Sequence, residues 1–518
     1  MKRILPLTLI CLVAATSYEA TAQALQQSKT TKGNVDLQVT NYGIFGLDVA
    51  KNTGGGFWPR GSQNQYIFGG GVWFAALKLK SGEVVPQKLV TISYNPNSGG
   101  SWMVPGSIED GPNIDLTTFK YDIQSSVDYN PDGTAINPPL PTWPMWNTGG
   151  DLKKNANFGS YIYNEADRTS AVYPRGAAFI SDEDIISIFK DTDKNYYDSL
   201  AALQQAFPLG MQYQQAVYSW NKGTPLQDVV VIRYTMINTS QDILRECYLA
   251  PAIDADIAVK SNAAAGSAND RTRFMEERPE LQTAIQWTNE NAGEAGKGFG
   301  YLGVTLLETP AVDAENNLRK DKAFYPFTEQ IGLHTFRNWT IAIDPLESDL
   351  RYAFMSTGVK DGDDGPGDKR MLASTGPFNM MPGDTARVAV ALTFAKYSNS
   401  AAAGTAASLT ELIGKIETLR NALYSGVLSV ETENLLKEKG VFISFKNDNA
   451  TLHFKNDTFK NIRAELFNTL GERVSIIHNG DITANELSFK TAELPAGMYY
   501  CVITSNGERI TLPMTIVR

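Results

Sequence analysis

The feature that most constrains this chain is a period of two. Along most of its length, short runs rich in β-branched and aromatic residues alternate apolar with polar positions and end at Gly, Pro, Asn or Asp. Residues 227–238 (QDVVVIRYTMIN), 299–307 (FGYLGVTLL), 339–343 (WTIAI) and 385–394 (TARVAVALTF) are predicted strands on that ground. A convincing helical period occurs once: Ser408 and Glu411 have capping-box spacing, and Leu409, Leu412, Ile413, Ile416, Leu419 and Leu423 follow at helix intervals. Shorter helices are expected at 182–189 and 199–206. Regularly spaced strands with turn signals favour packed sheets. The expected class is therefore mainly β: multidomain β-sandwiches with a C-terminal immunoglobulin-like seven-stranded sandwich, and one amphipathic helix before the linker to it. No solenoid or propeller period is present.

At ~150 residues per domain, 518 residues predict about three domains. Residues 1–22 read as a signal peptide: Lys2 and Arg3 precede the apolar stretch 4–15, and Ala20 and Ala22 place small side chains at −3 and −1 of a cleavage before Gln23. That stretch is short of the ~20 residues of a membrane span, so no transmembrane segment is expected in the mature chain. Residues 23–150 form a Gly/Trp-rich β region. Two Gly triplets, 54–56 and 69–71, bracket FWPRGSQNQYIF, and five of the eight Trp precede residue 150. The Pro-rich stretch 137–150 reads as a connector. A central β-sandwich region, 151–424, ends in the helix, 425–440 is a polar linker, and 441–518 is the last domain.

A net charge of −10 argues against nucleic acid, whose affinity comes largely from Lys and Arg neutralising phosphates. Residues 441–518 hold eight basic and eight acidic side chains, so the acidity belongs to the rest of the chain. Three Cys and three His leave little material for disulfide frameworks, zinc sites or histidine catalysis. Cys11 falls in the signal segment, and Cys247 and Cys501 are expected to be free buried thiols in different domains. His334 stands alone once His453 and His478 are assigned to the last domain. There is no Gly-x-Ser-x-Gly elbow and no Gly-rich phosphate loop. Catalysis is accordingly not the favoured expectation.

Three acidic loops have chemistry suited to calcium, a hard cation bound by oxygen. Asp128, Asn130 and Asp132 alternate and precede Gly133. Asp191, Asp193 and Asn195 repeat the alternation, and Asp361, Asp363, Asp364 and Asp368 pack four carboxylates into eight residues. None of the loops ends in the Glu of an EF-hand. A carboxylate pair for glycoside hydrolysis could come from Asp182, Glu183, Asp184, Asp254, Asp256, Glu276 or Glu277. The N-terminal aromatic residues suit sugar stacking or core packing.

The last 80 residues carry the most specific pattern. Strands are expected at 441–445, 451–454, 462–467, 474–477, 486–489, 498–504 and 510–517, the count of one small sandwich. The stretch AELFNTLGERV, with Asn468, Leu470 and Gly471, is followed by ELPAGMYYCVITSNGERITLPMTIVR, with Leu494, Pro495, Gly497 and Tyr499. Together they resemble the C-terminal sorting domain (type A, Por-type) of type IX secretion system cargo in Bacteroidota and their relatives. Weaker similarity links NYGIFG, GGGFWPRGSQNQYIFGGGVWFAAL, AFISDEDIISIFKDTD and GPFNMMPGDTARVAVALTFA to large uncharacterised cargo proteins. The resemblance implies passage through the inner membrane, recognition of the last domain by the outer-membrane translocon, and removal of that domain with release or surface attachment. It supplies no activity. The expected protein is thus secreted or held at the cell surface, with a body that meets a protein or glycan ligand or builds surface structure. The alternative is a carbohydrate-binding module or a carboxylate-dependent glycoside hydrolase.

Overall fold

The computed structural model describes residues 25–79, 84–106, 123–125, 127, 181–191, 208–289, 293, 298–321, 325–397, 401–424, 441–446, 449–454, 462–468, 473–481, 486–495, 497–505 and 508–516. The expected signal segment with Ala20 and Ala22, the connector at 137–150, the helix at 199–206 and the linker at 425–440 lie outside these residues. The chain divides into two compact units, residues 1–416 and 417–518. No helix among the described residues is long and apolar enough to cross a membrane.

The first unit is built on two large antiparallel sheets. One has nine strands. Its order is Gln124–Ser125, Glu183–Lys190, Met211–Ser219, Val229–Asn238, Thr385–Lys396, Gly300–Glu308, Thr283–Thr288 and Asp270–Phe274, with Val104–Pro105 also paired to Glu183–Lys190. The other has five: Thr335–Thr340, Lys369–Met380, Leu244–Asp254, Gly69–Lys78 and Gln87–Ile92. A smaller sheet joins Gln27–Lys29, Asp36–Thr40, Gly56–Phe57, Asn64–Ile67 and Ala258–Val259.

Alternation decides what each sheet face meets. In Leu244–Asp254, Leu249 and Ile253 enter the core shared by the two large sheets, while Tyr248, Ala250 and Ala252 face the other way. In Gly300–Glu308, Leu302, Val304 and Leu306 enter the same core and Tyr301 the opposite layer. Each large sheet therefore has a second apolar face to cover. Helix Ser348–Ser356 covers one through Tyr352 and Met355. Leu412 and Ile416 of helix Thr410–Tyr424, with Leu409 just before it, cover the other. Each such fully buried side chain contributes about 1.5–3 kcal/mol. Gly303 permits the close approach, since a Cβ there would stand 3.0 Å from Leu412 Cδ1.

Four expectations need correction. The strand expected at 339–343 keeps only Trp339 and Thr340, at the end of Thr335–Thr340, and Ile341–Ile343 is a single 3-10 turn. Residues 182–189 are not helical but belong to strand Glu183–Lys190, which is buried along its whole length. With neighbours on both sides and both faces covered, its apolar residues need not alternate, and a helical reading competes. Residues 23–150 and 151–424 are not separate domains: Gly69–Lys78 pairs with Leu244–Asp254, and one core takes Phe74, Leu249 and Phe378 together. Ser408 does not cap the helix as the capping box implied. It lies in the turn Ala406–Leu409, donates to the Thr405 carbonyl at 2.7 Å and meets the Tyr301 hydroxyl at 2.6 Å.

The second unit has strands at all seven expected places. Val441–Lys446, Asn449–Phe454 and Glu486–Lys490 make one sheet; Arg473–Gly480, Ile462–Asn468, Gly497–Ser505 and Glu508–Ile516 make the other. Leu452, Phe454, Ile462, Leu466, Cys501, Ile503, Leu512 and Met514 fill a core of their own. Cys247 and Cys501 are free and buried. Burial pushes the Cys501 thiol up to about 12 and the Cys247 thiol well above its ordinary value.

Candidate functional site: an acidic cluster around Arg370

Two segments distant in sequence meet at one end of the five-stranded sheet. Strand Leu244–Asp254 runs into a turn carrying Asp256, and the acidic loop 361–368 runs into strand Lys369–Met380. The register sets Asp254 opposite Arg370 on one side and Gly69 on the other. Gly69 has to be glycine, because a Cβ there would lie 2.7 Å from the Tyr94 ring. That ring carries its hydroxyl to Asp254 Oδ2 at 3.3 Å, and Arg370 Nη2 donates to the same oxygen at 3.1 Å. Arg370 Nη1 donates to Asp368 Oδ1 at 3.2 Å, and its Nε is 3.9 Å from Asp344 Oδ1. Carboxylate oxygens of Asp254, Asp256 and Asp368 all lie within 4.8 Å of one another.

Buried Asp270 fastens both segments. Its Oδ2 accepts the Ile257 N–H at 2.8 Å and Gln286 Nε2 at 3.1 Å, while Gln286 Nε2 also donates to the Ala255 carbonyl. Its own carbonyl accepts the Gly367 N–H at 2.9 Å. Burial, then Asp368, pushes the Asp256 carboxyl up to about 7, with Arg370 opposing. Burial and the neighbouring Asp256 hold Asp254 well above the ordinary carboxylate range. Burial raises Asp270 likewise, against the Ile257 N–H, and raises Asp344 against the Trp339 indole N–H. Burial lowers Arg370, but Asp254, Asp368 and Asp344 more than offset it and its value is raised.

The expected calcium loops fare differently. Asp128, Asn130 and Asp132, with Asp193 and Asn195, lie outside the described residues. Asp361, Asp363 and Asp368 do not converge. Asp361 accepts from Arg337 Nε and the Asn338 N–H, Asp363 pairs with Arg271, Asp364 with Lys369, and Asp368 alone joins the cluster. Among the candidate catalytic acids, Glu183 is 1% exposed and ties down the Thr31 and Lys32 N–H groups and the hydroxyls of Ser125 and Ser219. Glu277 is held by Arg273. Asp254 and Asp256 are the two that the fold brings together. His334 contacts the Ser356 carbonyl at 3.2 Å and lies against Tyr248. The six described Trp are all buried. Asp270 and Arg370 were missed as contributors, and strand register is what brings Arg370 to Asp254.

Asp191 is structural. Its Oδ1 accepts the Gly210 and Met211 N–H groups, which fixes the entry of strand Met211–Ser219. Burial pushes its carboxyl up to about 6, against those bonds and the nearby Lys78. A folded value above the ordinary 3.8 means that ionisation costs stability as pH rises through that interval, and the cost is complete above the folded value. Asp191→Asn keeps the accepting oxygen and removes the charge. The variant is expected to exceed the parent in stability by on the order of 1–3 kcal/mol at pH 8 and to match it near pH 4. Thermal melts at the two pH values check this, and a difference that ignores pH refutes it.

In the second unit, Asn468 ends its strand paired with Tyr499, whose hydroxyl donates to the Pro495 carbonyl at 2.9 Å. Leu494 packs against the core, Pro495 is exposed and Gly497 opens the next strand. Leu470 and Gly471 lie outside the described residues.

No protein-family model matches the chain, and no curated protein matches it. Among solved structures it is similar to a polysaccharide lyase at 9% identity and a TM-score of 0.19, over 95% of this chain. The chain spans 46% of that protein's length, and a likeness this slight carries no inference about fold or activity.

Proposed function

We propose that this chain is cargo of a type IX secretion pathway, addressed by residues 441–518, and that the preceding body works outside the cell in interaction or surface structure. The observation that carries the reading is the self-sufficiency of the last unit. It has seven strands and its own core, and it bears the motif positions Asn468, Leu494, Pro495, Gly497 and Tyr499. A unit with its own core is separable from the body without loss to either. Burial of the six described Trp supports a body that packs its aromatic side chains rather than presenting them to sugars.

The test is to determine both ends of the protein recovered from the medium and surface of a bacterium that has this pathway. The expected mature chain begins at Gln23 and ends before Val441. Exported protein that still carries residues 441–518 in full argues against the cleaved-address reading.

A further inference from the structure

We propose that Asp254, Asp256 and Asp368 bind a hard divalent cation of the calcium class. Their oxygens lie within 4.8 Å of one another. Calcium takes oxygen ligands at 2.3–2.6 Å, so oxygens on opposite sides of one ion stand roughly 5 Å apart, and the three fit a single coordination sphere. The three donors are carboxylates, with neither imidazole nor thiolate, which selects hard cations over zinc or copper.

An independent observation points to a ligand. Asp254 is only 3% exposed, and its Oδ2 takes both the Tyr94 and the Arg370 bonds, while Oδ1 is buried with no hydrogen-bond partner among the described residues. A buried carboxylate oxygen left unsatisfied is costly. No described residue donates to the Asp256 carboxylate either. The contrast with the same loop's other acids is direct, since Asp361, Asp363 and Asp364 each face their own cation. Among the described residues Arg370 is the one basic side chain paired with members of the trio, so three carboxylates there share one cation. The ligand-bearing turn and loop are both anchored on Asp270, which makes the site preformed. Asp368, with 42% of its side chain exposed, leaves a path for the ion.

The experiment takes the full chain stripped with a chelator and titrates it with calcium, then magnesium, while following thermal unfolding. Calcium is expected to raise the midpoint, as any ligand of the folded state alone does, and to do so more than magnesium at equal concentration. Asp256→Asn relieves carboxylate repulsion. In chelator it is expected to melt at or above the parent, and in calcium below it, with apparent calcium affinity reduced on the order of tenfold or more. A purely structural role for Asp256 gives no such reversal. Asp368→Asn, at the exposed edge, gives the same loss of the calcium increment should Asp256→Asn fold poorly. Asp363→Asn, on the same loop but paired with Arg271, keeps the increment. Terbium in place of calcium should luminesce on excitation of Tyr94, and lose that signal in both trio variants. No calcium shift in the parent, a larger shift with magnesium, or a calcium shift that survives in the Asp256 and Asp368 variants overturns the proposal.

Discussion

Deleting residues 508–518 is expected to abolish export while leaving the first unit folded. Strand Glu508–Ile516 pairs with Gly497–Ser505 over nine positions, from Gly497 with Ile516 to Ser505 with Glu508. It also places Leu512, Met514 and Ile516 in the core of the small unit. Loss of one large buried apolar side chain costs about 2–5 kcal/mol, and three together exceed most of the 5–15 kcal/mol that holds a typical domain folded. The deletion also bares the edge of Gly497–Ser505, an open template for unwanted strand pairing. Every described residue of this core belongs to the second unit. In a host with the pathway, the truncated chain should accumulate in the periplasm with a protease-resistant body of unchanged melting temperature. Its appearance in the medium at the parent's level would show that residues 441–518 are not an address.

Asp228→Ala is expected to destabilise the first unit by about 3–5 kcal/mol, the usual consequence of removing one partner from a buried ion pair. Asp228 is 6% exposed, and its Oδ1 accepts Trp58 Nε1 at 2.8 Å and Asn34 Nδ2 at 2.9 Å, while Oδ2 accepts Lys415 Nζ at 2.9 Å. Burial alone would raise its carboxyl, yet the bonds from Lys415, Trp58 and Asn34 hold it below the ordinary value. Truncation leaves the buried Trp58 indole N–H and the half-buried Asn34 amide without this acceptor, and takes from the Lys415 ammonium, which is 17% exposed and lies over the Trp58 ring, its buried carboxylate, leaving it the half-exposed Glu411 at 2.7 Å. The stabilisation is present above the ordinary carboxylate range and is lost as pH falls through the lowered value, so parent and variant should converge in acid. Denaturant unfolding at neutral and acidic pH checks both statements. Pairing Asp228→Ala with Lys415→Met should recover part of the loss, since the ammonium that has lost its buried partner goes too.

The seven strands of the second unit were legible because each is short, alternates cleanly and ends in turn residues. Strand Glu183–Lys190 was not, because a strand buried on both faces loses the period that identifies it. The division at residue 150 followed a real shift in composition, but composition says nothing about pairing across a long separation. Only register shows that Gly69–Lys78 lies beside Leu244–Asp254. The acidic cluster was half legible. Asp254, Asp256 and Asp368 were each noticed as acids, and Asp368 as a loop ligand. Their meeting depends on Arg370 standing opposite Asp254 across a pair of strands more than a hundred residues apart. The other loop acids looked equivalent in sequence, and Arg337, Arg271 and Lys369 set them apart.

The place of Thr385–Lys396 in the nine-stranded sheet governs how the body is made. It is the last strand of that sheet in the chain, yet it sits between Val229–Asn238 and Gly300–Glu308. Until residue 396 has left the ribosome, the sheet consists of two halves with facing open edges, and each has a long wait for a single wedge. Distant pairings of this kind close slowly because loop entropy must be spent before any contact rewards it. The half-finished body is therefore the form most exposed to aggregation, and a holdase acting between synthesis and closure would have its greatest effect on yield at that stage.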